Sequence, residues 1–344
     1  MDTNLYTWQE IQSQPLVWQT ALDQLKGWQP SLVDFYRHGR YDSVLFTGCG
    51  STYYLSLAAG ASYTQLTERL GRALPASELW LSPGSSLPTK GRFLLVAVSR
   101  SGETSETINA CQGFTESGRG DLITLTCYPQ SKLASLGNLN MTFPASGEES
   151  FAQTRSFSTL YLATLYISAL WVERLDLIAQ MERLPDTASK LIANYTDLVR
   201  QFGGQSTLER YYFLGSGPRY GLAAELSLKM KEMSLSQSEP FHFMEFRHGP
   251  MSMANEQTLL VGLVSTRNMP REMAVLQEMQ ARGAKILSLG EAGVTTPFDS
   301  GIDEAIRGPL YLPLGQILAF SNARSKGLNP DRPSGVQAVI RLGP

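Results

Sequence analysis

Two loops, one helix face and one histidine hold the residues whose types and spacing could do chemistry. The first loop reads Gly48-Cys49-Gly50-Ser51-Thr52, after an apolar run at 43–47 and before a helix-spaced stretch. Gly48 and Gly50 let the backbone approach a ligand closely. Ser51 and Thr52 fall where cap hydroxyls and free helix N–H groups converge, a corner that attracts anions. An ordinary capped strand–helix turn fits this loop equally well. The second loop, Ser99-Arg100-Ser101-Gly102-Glu103-Thr104-Ser105-Glu106-Thr107, follows the apolar run 93–98. Five hydroxyl residues in its nine suit a phosphate monoester better than a dinucleotide. Gly48-Cys49-Gly50 also lacks the last glycine of the dinucleotide-binding fingerprint.

The helix face belongs to residues 221–233. Glu225, Lys229 and Glu232 stand at i, i+4 and i+7 and share one stripe, beside the apolar stripe Leu222, Leu226, Met230 and Met233. An exposed Glu–Lys pair on an amphipathic helix accounts for that spacing. So does a working acid–base row, for which a carboxylate must be partly desolvated so that its pKa rises toward neutrality. The histidine is His248, in Phe246-Arg247-His248-Gly249-Pro250. A lone histidine is more often structural, and His38 and His242 are read as structural.

The elements that must position these residues alternate strand and helix. After strand 43–47 come a helix to about Leu70, a strand near Leu79-Trp80-Leu81, strand 93–98, a helix at 108–116, strand 122–127 and a short segment at 141–143. This βαβ rhythm predicts a parallel sheet with helices on both faces. A long helix is expected from the Ser150–Thr159 stretch to about Met181, and 182–207 reads as a helical linker. The pattern then repeats. Tyr211-Tyr212-Phe213-Leu214-Gly215-Ser216-Gly217 echoes the first loop, 258–264 echoes strand 94–99, and 285–289 follows as a further strand. The loop after Ser265 lacks the hydroxyl cluster and is expected to have lost phosphate binding. Residues 1–40 read as helices broken at Pro15 and turned at Gly27-Trp28-Gln29-Pro30, with Trp8, Leu16, Trp18 and Leu22 packed on the first sheet unit. The expected division is a helical arm (1–40), a first α/β unit (41–185), a second (186–325) and a C-terminal tail (326–344).

The 344 residues fit about two domains, and a hydrophobic fraction of 42% supplies their cores. Twenty-nine basic and 31 acidic residues give a net charge of −2 without runs, so neither nucleic acid nor an anionic membrane is expected as partner. Cys49, Cys111 and Cys127 have no metal-ligand spacing, and with three histidines in the chain no metal or other cofactor is called for. No signal peptide or long apolar span is seen, so a cytoplasmic protein is expected.

The GCGST and SRSGET loops resemble the two phosphate-binding loops of the sugar isomerase (SIS) domain family, from about residue 40 to the C-terminus. The similarity is to the isomerase half of glucosamine-6-phosphate synthase and to aminosugar-phosphate deaminases and isomerases. It implies two tandem flavodoxin-like α/β units, each a parallel sheet sandwiched by helices. The resemblance gives the phosphate to Gly50, Ser51, Thr52, Ser99, Ser101, Gly102 and Thr104, with Cys49, Gln153 and Arg155 near the sugar. Gln153 and Arg155 stand in for the family's Ser and Lys. Glu-x-x-x-Lys-x-x-Glu matches the helix that lines the family's sugar site, so Glu232 would move a proton between C1 and C2, with Glu225 and Lys229 beside it. His248-Gly249-Pro250 matches the family's His-Gly-Pro, whose histidine assists ring opening from across a dimer interface. A homodimer sharing His248 follows. At the tail the match fails: the family's terminal lysine falls on Ala338, so either Schiff-base assistance is unnecessary, or Lys326 or Arg332 serves differently, or the activity is altered. Asp2 stands where the synthase's glutaminase carries its cysteine, so glutamine-derived ammonia is not expected. These features imply a cofactor-independent isomerase or deaminase acting on a hexose 6-phosphate. The alternatives are a fructosamine-phosphate deglycase and a sugar-phosphate sensor without turnover.

Overall fold

The computed structural model describes residues 4–335 and 337–342. The chain divides into two compact units. One holds Leu16–Glu148, Arg155–Glu182 and the tail from Gln337; the other holds the chain up to Pro15, Glu149–Thr154 and the stretch from Arg183 to that tail.

The unit beginning at Leu16 is built on five parallel strands: β1 (Ser43–Gly48), β2 (Gly71–Pro75), β3 (Phe93–Ser99), β4 (Gly120–Thr126) and β5 (Leu139–Thr142). Their order is β2-β1-β3-β4-β5. Every residue of β1 and β3 is buried, as expected for central strands covered on both faces. Side chains alternate between those faces. Leu45, Leu95 and Ala97 join Ala110, Cys111 and Phe114 in one core, while Phe46 turns the other way against Tyr63, ring centroids 6.2 Å apart. The Ser51–Thr67 helix packs on Arg155–Trp171, a helix buried almost all round, and Ser105–Glu116 packs on Ala76–Leu81.

Several local expectations are corrected. Leu79–Leu81 is helix, not strand: β2 ends at Pro75, and Ala76 and Leu79, three apart, bury the inner side of a helical turn while Leu81 stays exposed. The expected turn at Gly27–Pro30 is absent, because the Gln14–Gly39 helix runs straight through Pro30. Its buried face overrides the proline. Trp18 and Leu22 are fully buried, Trp18 Nε1 donates to Ser158 Oγ at 2.8 Å, and Trp171 Nε1 donates to the Leu32 carbonyl at 3.2 Å. The helix expected to reach Met181 stops at Trp171, where Glu173 takes a positive φ of 57°, and restarts at Leu175–Met181.

The other unit repeats the plan with β6 (Arg210–Leu214), β7 (Gln237–Phe241), β8 (Thr258–Leu263), β9 (Lys285–Gly290) and β10 (Thr296–Pro297), all parallel, in the order β10-β9-β8-β6-β7. Read from its first strand this is the same winding. Helix Pro218–Ser234 packs on Leu312–Ser325, which also receives Leu184–Gly203; Met269–Ala281 packs on β8 and β9. The first ordered helix, Tyr6–Gln12, belongs here. Thr7 donates from its N–H (2.8 Å) and its hydroxyl (2.7 Å) to Asp331, and the Trp8 ring lies 5.2 Å from that of Phe320. Trp8 therefore does not pack on the first sheet unit, and Leu16 is exposed. No helix of the described residues is long and apolar enough to cross a membrane.

Pro30 lacks the N–H that would bond the Lys26 carbonyl, an interior defect worth up to about 3 kcal/mol. Pro30→Ala should therefore raise the urea midpoint with helical content unchanged. A lowered midpoint would mean that the packing needs the proline.

Candidate functional site

In the first unit the winding reverses between β1 and β3, and the two hydroxyl loops follow those strands. Loops at such a reversal run apart and leave a crevice beyond the strand ends, the usual ligand position in this architecture. Gly50 takes φ 55° and precedes the Ser51–Thr67 helix. A Cβ on Gly48 would meet Thr52 Oγ1 at 2.5 Å, so the strand enters the turn in direct contact with the helix start. The Thr52 hydroxyl donates to the Cys49 carbonyl (2.9 Å) and accepts from the Cys49 N–H (3.0 Å); it locks the turn and does not cap the helix as expected.

The second loop is held as firmly. Ser99 Oγ accepts the Gly102 N–H at 3.1 Å, and Ser101 Oγ accepts that of Glu103 at 3.2 Å. Gly102 has φ 62°, and a Cβ there would fall 2.0 Å from Ser131 Oγ, so only glycine fits. The Arg100 carbonyl accepts from Thr126 Oγ1 (3.0 Å) and from the Cys127 N–H (3.1 Å). Cys49 Sγ lies 3.5 Å from Thr107 Oγ1, which joins the first loop to the helix opened by the second. Burial pushes the Cys49 thiol pKa up, keeping it neutral. The structure thus brings Cys49, Gly50, Ser51, Thr52, Ser99, Ser101, Gly102 and Thr104 to one end of one sheet.

Arg100, barely exposed, pairs with the buried Glu148 at 3.3 Å and donates to the Ala338 carbonyl at 3.0 Å. Ser105 accepts from the Leu342 N–H at 3.0 Å and donates its own N–H to the Ile340 carbonyl at 3.4 Å. The tail thus lies along the second loop through its backbone. Arg155 is occupied locally, its Nε donating to the Gly147 carbonyl at 2.9 Å. Gln153 is half-buried and groups with the other unit. Lys326 donates to Ser236 Oγ at 2.7 Å, and Arg332 stacks over Phe151 at 4.4 Å.

In the second unit the Glu–Lys row is not exposed. Glu225 and Lys229 are fully buried and Glu232 keeps 20% of its side-chain surface. Lys229 Nζ lies 3.2 Å from Glu225 Oε1 and donates to Glu232 Oε2. Burial works against the ammonium charge, but the two carboxylates outweigh it and hold the Lys229 pKa above the ordinary lysine value. The reading as an amphipathic surface pair is therefore overturned. Glu232 is the member of the row that reaches solvent. His248 is exposed after a helical turn, its N–H on the Glu245 carbonyl at 3.0 Å.

A second charged group escaped the sequence reading. Arg219 pairs with Glu304 and lies 3.7 Å from Glu272; Arg307 pairs with Glu291 at 3.2 Å. The repeat held its signal: pairing Gly48-Cys49-Gly50 with Gly215-Ser216-Gly217 puts Arg219 where Thr52 stands, and a buried arginine there requires a carboxylate.

The sequence profile described as "SIS domain" matches residues 40–172 and 207–293. The chain belongs to the SIS domain family. Among curated proteins this SIS chain is 28% identical over 367 residues to the "Putative D-galactosamine-6-phosphate deaminase AgaS" of Streptomyces coelicolor, covering 96% of this chain and 92% of that one. It is 23% identical over 343 residues to a glutamine–fructose-6-phosphate aminotransferase (isomerizing) of Methanothermobacter thermautotrophicus, covering 97% of this chain and 57% of that one. It spans about half the length of the aminotransferases it matches. Among solved structures, glucosamine-6-phosphate deaminase from Thermotoga maritima superposes with a TM-score of 0.83 at 25% identity, over 98% of this chain and 100% of that one. Tagatose-6-phosphate ketose/aldose isomerase from Escherichia coli shares the fold at a TM-score of 0.88 and 20% identity, over 98% of both chains.

Removing one member of a buried ion network leaves uncompensated charge. Lys229→Met should lower stability by about 3–5 kcal/mol at pH 7 in urea titrations. Because the folded-state pKa of Lys229 is raised, its contribution is present below the unfolded lysine pKa and is lost only as alkaline pH titrates it. A difference near zero at pH 7 would mean that the row is not charged as described.

Proposed function

We propose that this chain is a phosphosugar isomerase or aminosugar-phosphate deaminase acting on a hexose 6-phosphate, an aminohexose by preference. The buried Glu225–Lys229–Glu232 row, with Glu232 reaching solvent, carries this reading. Two relatives' names, a D-galactosamine-6-phosphate deaminase and a glucosamine-6-phosphate deaminase, favour the aminosugar.

The Ser51–Thr52 and Ser99–Thr104 loops hold the phosphate through hydroxyl and backbone donors. His248 moves a proton between the ring and anomeric oxygens, releasing the aldehyde. Glu232 takes the proton from C2, leaving an enolamine, and returns it to C1. With a 2-amino group the product is a ketimine, and water replaces the imine nitrogen to give the ketose phosphate and ammonia. Lys229 stays protonated between its two carboxylates and fixes the Glu232 side chain. Proton transfer of this kind needs no cofactor, and we place the reaction in the cytoplasm.

Two experiments test this. Glu232→Gln keeps shape and one hydrogen-bonding oxygen but cannot accept a proton, a loss of about 10²–10⁴ in rate for a positioned base. In deuterated water the wild type should exchange hydrogen at C1 and C2 of the sugar phosphate; Glu232→Gln should bind it and not exchange. Ser101→Ala with Thr104→Ala should lose the binding itself. A wild type that binds without ever exchanging would favour the sensor. Exchange by Glu232→Gln at the full rate would remove Glu232 as the base.

We further propose a homodimer in which each catalytic centre takes His248 from the partner subunit, on the strength of the His-Gly-Pro match and the exposure of His248. Mixing inactive Glu232→Gln and His248→Ala chains should then regain part of the activity. Confirmed subunit exchange with no activity restored would show that His248 acts within its own chain, or not at all.

A further inference from the structure

The second unit repeats the first down to its loops. Gly217 takes φ 59° and ψ −134°, against 55° and −122° for Gly50. A Cβ on Gly215 would meet the Arg219 carbonyl oxygen at 2.4 Å, the same close entry that Gly48 makes on Thr52. Past β8, Ser265 Oγ accepts the Asn268 N–H at 2.9 Å, the turn that Ser99 makes with Gly102 after β3. Thr266 and Arg267 are thus the counterparts of Arg100 and Ser101, in the loop that leaves β8 beside the second sheet's own winding reversal.

There they meet a carboxylate. Glu304 Oε2 accepts the Thr266 N–H at 3.1 Å and the Arg267 N–H at 3.2 Å, and Glu304 Oε1 accepts from Arg219 Nη1. Arg307 lies 4.0 Å from the same carboxylate and donates to Thr266 Oγ1. Two backbone amides and two nearly buried guanidinium groups converge on the Glu304 carboxylate; Arg219 also faces Glu272 at 3.7 Å and Arg307 also pairs with Glu291 at 3.2 Å. This is the donor set that would bind an oxyanion. Glu272 Oε2 fills the neighbouring Ser265 N–H at 2.6 Å.

We propose that the second unit carries an oxyanion cradle of the same build as the first unit's phosphate loops, held shut by its own Glu304 carboxylate, and that inorganic phosphate or a phosphate monoester is the ligand it accepts once that carboxylate is gone. Loss of the hydroxyl cluster after Ser265 therefore did not abolish the cradle; an internal anion took it over. The occupant also fixes Arg219, the second residue of helix Pro218–Ser234, and so anchors the start of the helix that carries Glu225, Lys229 and Glu232.

The cradle lies wholly in the second unit, so its test does not depend on the first loops. In a Ser101→Ala, Thr104→Ala background, Glu304→Ala should bind inorganic phosphate roughly tenfold or more tightly than its parent, read by calorimetry or ³¹P line broadening, since each charge-assisted bond regained is worth about 1.5–3 kcal/mol. With those loops intact, Glu304→Ala should take one phosphate more per chain than the wild type. A folded Glu304→Ala chain with unchanged phosphate binding overturns the proposal. Should that variant fail to fold, Glu304→Gln keeps the shape and drops the charge. Phosphate must then raise its melting temperature more than the parent's, and an equal shift overturns the proposal.

Discussion

The constraint on which both units depend is the reversal of winding beside the first strand of each sheet. Parallel strands joined by right-handed crossovers send successive helices to one face; when the order reverses, the next helix lands on the other. The loops leaving the two strands at the reversal then diverge, and their backbone N–H groups, which no neighbouring strand can satisfy, are left at the mouth of a crevice. In the first unit these loops follow β1 and β3, in the second β6 and β8. Burial of the strands on both faces fixes the loops' starting points. Gly50, Gly102 and Gly217, all at positive φ, supply conformations that L-residues resist.

An unsatisfied loop amide needs an acceptor, and the two units supply it differently. The first surrounds its crevice with hydroxyls, Ser99 and Thr52 spending theirs on the turns while Ser101 and Thr104 remain half-buried. The second closes its crevice with Glu304, a partly exposed carboxylate compensated by the nearly buried Arg219 and Arg307. Desolvation works against the Glu304 charge, but the Arg219 charge, the hydrogen bonds from Ser265 and the Arg267 N–H, and the Arg307 charge together outweigh it and hold the Glu304 pKa below the ordinary carboxylate value. On the proposed function, one backbone plan serves both binding and internal bracing, decided by which side chain reaches the amides.

The fold and the first pair of loops were legible in the sequence because apolar runs, glycines and hydroxyls mark them locally. Strands 93–98 and 211–214 announce themselves by unbroken apolar or aromatic character, and the loop echo of Gly48-Cys49-Gly50 in Gly215-Ser216-Gly217 exposes the repeat. Features set by distant partners were not legible. Leu79-Trp80-Leu81 looks like a strand until the spacing of Ala76 and Leu79 against the core is known. Pro30 signals a turn that Trp18 and Trp171 overrule. Glu225 and Lys229 read as surface residues on any hydropathy scale, and only the packing of their helix against β6, β7 and the Leu312–Ser325 helix hides them. Glu304 lies 85 positions from Arg219, beyond any local pattern.

The burial of Glu225 and Lys229 bears on what the row is for. Moving two opposite charges into the interior costs several kcal/mol per ion, and well-packed apolar residues of similar volume commonly equal or exceed the stability of such a pair. Helix Pro218–Ser234 has apolar neighbours in plenty: Leu222, Leu226, Met230 and Met233 are all fully buried on it. Leucine or methionine at 225 and 229 would extend that surface without desolvation cost, so folding alone gives no reason for a charged row here. A row that is a poor answer to folding suits the proton transfer we propose for it. The fixed ammonium of Lys229 sets the position of a carboxylate that still meets solvent, and the second carboxylate, Glu225, keeps that ammonium charged in the absence of substrate. Remove Glu225 and Lys229 loses one of the two carboxylates that keep it protonated; remove Lys229 and Glu232 loses its ion-pair partner. In the reaction proposed for this chain, the chemistry falls to the exposed end of the row, and the buried end keeps it in place.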